Sequence, residues 1–88
     1  MNTPIPNKLK ECRKQAGLRQ MDVANILGFH GIDRICKWEK GKTYPHLRNL
    51  FKLCKLYGVK PEHVYGELLQ NIQINEGQLP EEKRIKFT

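Results

Sequence analysis

Twice between Gln20 and Gly41 the chain sets apolar residues at helical spacing, and twice the pattern stops on a glycine. Val23, Ala24 and Leu27 stand at i, i+1 and i+4 and end at Gly28; Ile32, Ile35 and Trp38 follow at intervals of three and end at Gly41. One face of an α-helix repeats with that spacing, and glycine is the residue that most readily leaves a helix through the left-handed region. Two short amphipathic helices are predicted, joined by about four residues, Gly28-Phe29-His30-Gly31. Ala24 is small enough to let them cross closely; a larger side chain would push the second helix away.

Such a pair is a helix-turn-helix candidate. The polar face of its second helix carries Asp33, Arg34, Lys37 and Lys40, all but Asp33 basic. The wider charge balance agrees: the 88 residues carry a formal net charge of +7, with a pI near 9.5. Residues 1–69 hold the whole excess, with 13 Lys and Arg against 6 Asp and Glu. A surplus of that size implies a polyanionic partner or surface. The length suits one small domain with a single modest core.

No run approaches the roughly 18 consecutive apolar residues of a membrane span. The N-terminus, Met-Asn-Thr-Pro-Ile-Pro-Asn, lacks the charged-then-apolar layout of a signal peptide. A cytoplasmic protein without a membrane partner is the expectation. Cys12, Cys36 and Cys54 are odd in number, widely spaced and set on or beside apolar helical faces, which suits buried thiols in a reducing compartment better than a disulfide framework.

In chain order, residues 1–6 hold two prolines and read as an extended lead-in, residues 7–74 as the domain, and residues 75–88 as a flexible tail. Asn7 is suited to cap a first helix in which Leu9, Cys12 and Ala16 face inward, closing at Gly17; Lys8, Lys10, Arg13 and Lys14 fall on its outer side. The third helix is expected to open at His30 or Gly31. A fourth, opening at Thr43 or Tyr44 ahead of Pro45, sets Leu47, Leu50, Phe51, Cys54 and Tyr57 on one face, joined by Leu53 and Leu56, as the spine of the core. A fifth opens at Pro61 and carries Val64, Tyr65, Leu68, Leu69 and Ile72, with Gly66 weakening its middle. In the tail, Ile85 and Phe87 alternate with charges and offer a strand or a partner contact.

Taken together, Leu9, Gly17, Leu18, Gln20, Val23, Ala24, Leu27, Gly28, Ile35, the run Lys37-Trp38-Glu39-Lys40-Gly41, Pro45, Leu50, Leu53, Leu56, Gly58 and Val59 resemble the Cro/phage-repressor (XRE) type of helix-turn-helix domain. The resemblance covers Leu9 to Tyr65 and implies an all-α, compact five-helix, lambda-repressor-like DNA-binding fold. The turn between Gly28 and Ile35 is one residue longer than the family's usual spacing, and the chain contains no serine, which the family often has near the start of helix three.

What the resemblance implies is a regulator of transcription, a repressor, that lays helix three in the major groove of double-stranded DNA. Ile32, Asp33, Arg34 and Lys37 would then face base edges, with Arg34 or Lys37 suited to guanine, and Asp33 suited to cytosine N4 or to orienting Arg34. Gln20, at the helix-two N-terminus, would bond phosphate, and Lys40, Lys42, Tyr44 and Arg48 would make further phosphate contacts that fix register. A domain this small implies a homodimer on two half-sites, with Leu68, Leu69 and Ile72 as the dimer surface. Glu39 reads as a structural or surface carboxylate.

Other functions find little to stand on. With only Asp22 and Asp33 as aspartates and His30, His46 and His63 scattered, no nucleophile, base and orienter assemble in sequence, so the chain is not expected to be an enzyme. Neither paired cysteines nor paired histidines occur at zinc spacing, and no cofactor is implied. The alternative is an antitoxin-like or other interaction module whose helix five and tail bind a partner protein.

Overall fold

Apolar residues recurring every three or four positions fold into six α-helices: α1 (Leu9–Gln15), α2 (Gln20–Leu27), α3 (Asp33–Glu39), α4 (Leu47–Tyr57), α5 (Pro61–Val64) and α6 (Gly66–Asn71). The computed structural model describes residues 3–83, and among these no strand occurs. Leu9 and Cys12 of α1, Val23 and Ala24 of α2, Ile35 and Trp38 of α3, Leu53 and Cys54 of α4, and Val64 of α5 form one buried cluster. Burial raises the pKa of the Cys12 and Cys54 thiols, so both are packed as neutral groups.

Lys8, not Asn7, is the N-cap of α1 and makes no side-chain cap bond; Asn7 stands one residue earlier, its Oδ1 accepting the Leu9 N–H at 3.0 Å. At the start of α2 the Arg19 N–H donates to Asp22 Oδ2 at 2.8 Å, and the two side chains pair at 2.9 Å. Its end is the predicted glycine: Gly28 sits at φ +80°, and the Phe29 N–H turns back to the Ala24 carbonyl at 2.8 Å. Ala24 has no exposed surface where α2 packs on α3, as its size anticipates. The α3 helix opens at Asp33 rather than at His30 or Gly31. The additional residue of the turn is spent before the helix, and Ile32 becomes the N-cap.

Residues of the N-terminal lead-in pack against the far end of α3. The Ile5 N–H donates to the Gly41 carbonyl at 2.8 Å, and Asn7 Nδ2 reaches the carbonyls of Ile5 at 3.0 Å and Glu39 at 3.4 Å. Gly41 is buried at φ +73°, and a Cβ there would run into the Ile5 backbone.

Three expectations about the second half change. Pro45 is buried ahead of α4, not inside its first turn; His46 is the N-cap and the helix begins at Leu47. Leu47 and Phe51, expected in the core, are 65% and 50% exposed. Apolar residues wrap more of α4 than its neighbours can cover: Leu53 and Cys54 centre the buried stripe, Leu50, Leu56 and Tyr57 pack beside it, and Leu47 and Phe51 lie past its edge. The single fifth helix breaks in two, because Tyr65 at φ −116°, ψ 26° leaves the helical region between α5 and α6. Pro61 does open α5. Val64 is buried and the Tyr65 ring packs on the core, while Gly66 contributes little to continuing the helix. The chain turns extended at Ile72, with ψ 130°. Two 3-10 turns, Glu76–Gln78 and Glu81–Lys83, fall in the stretch expected as a tail; Ile85 and Phe87 lie outside the described residues.

Candidate nucleic-acid interface

Because Ile35 and Trp38 anchor α3 in the core, its opposite face is necessarily the one presented outward. Asp33, Arg34 and Lys37 lie there, all exposed, with Ile32 at the N-cap 39% exposed. Lys37 Nζ meets Asp33 Oδ2 at 3.1 Å, one helical turn away, so two of the predicted base readers are paired with each other. At such exposure the pair contributes well under about 1 kcal/mol and can open for another partner. Arg34 goes elsewhere: its Cζ lies 4.7 Å from the centroid of the Phe29 ring. That ring in turn stands edge-on to Trp38, with centroids 5.8 Å apart and planes at 70°.

Lys40 caps the end of α3; Lys42 and Tyr44 follow in the loop and Arg48 lies in the first turn of α4, all exposed. Between Gln20 and Arg48 the acidic residues are Asp22, Asp33 and Glu39, and each is already paired, with Arg19, Lys37 and Arg13. Arg34, Lys40, Lys42 and Arg48 have no carboxylate partner among the described residues. The net field of this stretch is therefore positive where it faces solvent.

Behind the face lies a pairing that the sequence did not suggest. Arg13, expected on the solvent side of α1, turns inward: Nε donates to Glu39 Oε2 at 2.7 Å, Nη2 to Oε1 at 3.1 Å and Nη1 to the Leu18 carbonyl at 2.9 Å. The side chains of Arg13 and Glu39 are only 10% and 4% exposed. Donating to Glu39 raises the Arg13 pKa further, so the guanidinium stays charged. Tyr57 is pushed up to about 12, first by burial and then by the Glu39 charge. Gln20, the expected phosphate ligand, also joins this network, its Nε2 donating to Glu39 Oε1 at 3.1 Å. The contact ties the N-terminus of α2 to the end of α3 and leaves the amide oxygen and one N–H of Gln20 for another partner.

These partners stand 19 and 26 residues apart, so no local spacing could reveal them. Phe29 is equally hidden in the sequence, since a lone aromatic in a turn carries no periodic signal. Of the three residues expected at the dimer surface, Leu68 is half-buried, whereas Leu69 and Ile72 are 63% and 59% exposed. Leu69 is in α6 and Ile72 in the extended segment after it, so the three do not form one helical stripe. Among the described residues no group of three or more His, Cys, Asp or Glu could hold a metal ion, and no helix is long and apolar enough to cross a membrane.

The sequence pattern of the helix-turn-helix family matches residues 9–64, the span from α1 to the end of α5. The chain belongs to the helix-turn-helix family. Its Cro/phage-repressor (XRE) character and all-α fold follow from that match, and it is a DNA-binding domain of this type. It is similar to an uncharacterised HTH-type transcriptional regulator of Methanocaldococcus jannaschii, with 42% identity over 61 residues, which is 69% of this chain and 91% of that protein. No solved structure matches.

Proposed function

We propose that this helix-turn-helix protein is a transcriptional repressor that acts in the cytoplasm and binds a short operator as a homodimer, with α3 in the major groove. The observation that carries this reading is the division of α3, whose Ile35 and Trp38 are buried while Arg34 and Lys37 stand exposed, near Lys40, Lys42 and Arg48, which have no carboxylate partner among the described residues. The M. jannaschii relative, named as a transcriptional regulator, supports the part of this reading that concerns transcription regulation. The unit concerned spans residues 7–74. Ile32, Asp33, Arg34 and Lys37 read bases, the Asp33–Lys37 pair opening as Lys37 finds an acceptor. Gln20, Lys40, Lys42, Tyr44 and Arg48 fix register on phosphates.

One domain of this size buries roughly 600–1,000 Å² on DNA, too little for tight specific binding, so two copies read half-sites about one helical turn apart. Leu68, Leu69 and Ile72 form the dimer surface in this reading. Selecting binding sites from a random duplex pool tests the function. A two-fold symmetric motif is expected; no enrichment, with binding that fades as salt rises, would leave only charge attraction.

A second reading has its own support. Leu69, Ile72 and Ile74 are each about 60% exposed, enough apolar surface at the end of the domain to seat a partner protein. Leu69→Glu with Ile72→Glu, followed by sedimentation, addresses both. Loss of the dimer is the expected result; a dimer that persists would remove that surface from the dimer interface and leave it free for another protein.

A further inference from the structure

We propose that Phe29 is a specificity-determining residue of the DNA-binding face, holding Arg34 in the conformation from which its guanidinium reads a base edge. The proposal rests on Arg34 as a base reader. Arginine has many rotamers, and fixing them on binding costs affinity unless the side chain is already held. Arg34 is held by a ring that is itself clamped. The Phe29 N–H bonds the Ala24 carbonyl at 2.8 Å, and its ring rests edge-on against Trp38, which is 5% exposed.

The kind of contact matters as much as its presence. A ring face attracts the guanidinium through its quadrupole and takes up none of the N–H groups in hydrogen bonds. A carboxylate partner would take them, as Asp33 takes the Lys37 ammonium at 3.1 Å. Arg34 is therefore oriented with its donors still available, the state suited to two parallel bonds with guanine O6 and N7. Phe29, His30, Gly31 and Arg34 also line an open cleft beside the turn, so the held side chain borders space rather than packed protein. Random DNA responds to the Arg34 charge in any rotamer, whereas a base edge responds only to the oriented fork. Weakening the Phe29 contact should thus cost base preference and leave general affinity intact.

The test places mono- and trifluorinated phenylalanine at position 29 of the full chain, since fluorine withdraws charge from the ring face while preserving its shape and burial. Binding to the selected operator, to each of its single-base variants and to random duplex is compared with that of the native protein and of Arg34→Ala. The expected result is a graded loss with fluorination, reaching about two- to fivefold, at the one base pair that Arg34→Ala relaxes, with random-duplex binding unchanged. Relaxation by Arg34→Ala without any effect of fluorination would overturn the role of Phe29 alone. No relaxation by Arg34→Ala would remove Arg34 from the base readers and this proposal with it, and equal losses on every sequence would reduce Phe29 to a packing residue.

Discussion

Glu39 shows how a single side chain sets the geometry of this protein. It follows Trp38 at the end of α3, where by sequence it reads as a surface or structural carboxylate, yet it accepts from Arg13 on α1 and Gln20 on α2 at once. Two ions nearly excluded from water stabilise a fold only while both are present, because removing one strands the other. Glu39→Ala should cost about 3–5 kcal/mol in urea unfolding. Replacing both partners by apolar residues, Arg13→Met with Glu39→Leu, should cost markedly less, and equal losses would show that the pair does not act as a unit. Gln20 would lose its tether in both variants, so DNA affinity should fall even where stability recovers.

Elements in this protein end where backbone geometry forbids continuation, and the consequences differ from one end to the next. At Gly28 the left-handed turn opens onto free space, whereas at Gly41 the same conformation is pressed against the Ile5 backbone. Gly41→Ala therefore meets a conformational penalty of about 1–2 kcal/mol and a collision as well. Thermal unfolding should show a loss larger than that of Gly28→Ala, and the Ile5 amide, bonded to the Gly41 carbonyl, should lose its protection against hydrogen exchange. Equal losses at the two glycines would mean that the lead-in does not brace α3. The break at Tyr65 belongs to the same scale. Val64 and Tyr65 both pack toward the core, and the chain departs from helical geometry to let them, which a count of apolar spacings from Pro61 to Ile72 does not register.

For the whole molecule, shape and pH response both trace to what lies inside. A compact chain of this length has a radius of gyration of about 12 Å; the value here is 15.9 Å, with extents of 50 × 32 × 20 Å. Ile74 and Leu79, beyond α6, are 62% and 40% exposed. Within the packed part, Tyr57 and Tyr65 are each raised from 10 to about 12, chiefly by burial. Folding favours their protonated form, so the stability they contribute is complete below pH 10 and is lost as pH climbs toward about 12. Spectrophotometric titration should resolve two late-ionising tyrosines whose release coincides with alkaline unfolding. Normal ionisation of both, with the fold intact, would contradict their burial.

The paired periodicities of Val23–Leu27 and Ile32–Trp38, the glycines that end them and the excess of positive charge are local properties, and they sufficed for a helix-turn-helix pair and for the exposed face of its second helix, while the fold class came from the resemblance of the wider residue set to a known family. Helical spacing places residues on a face with no knowledge of their neighbours. Tertiary structure alone decided what that face rests on and which apolar residues find cover. Arg13 turned inward because Glu39 was there to receive it, and Phe29, in the turn ahead of α3, came under Arg34. Leu47 and Phe51 stayed outside because a helix buries only the stripe its neighbours reach. In each case the deciding partner is another segment of the chain, brought near only once the helices have packed.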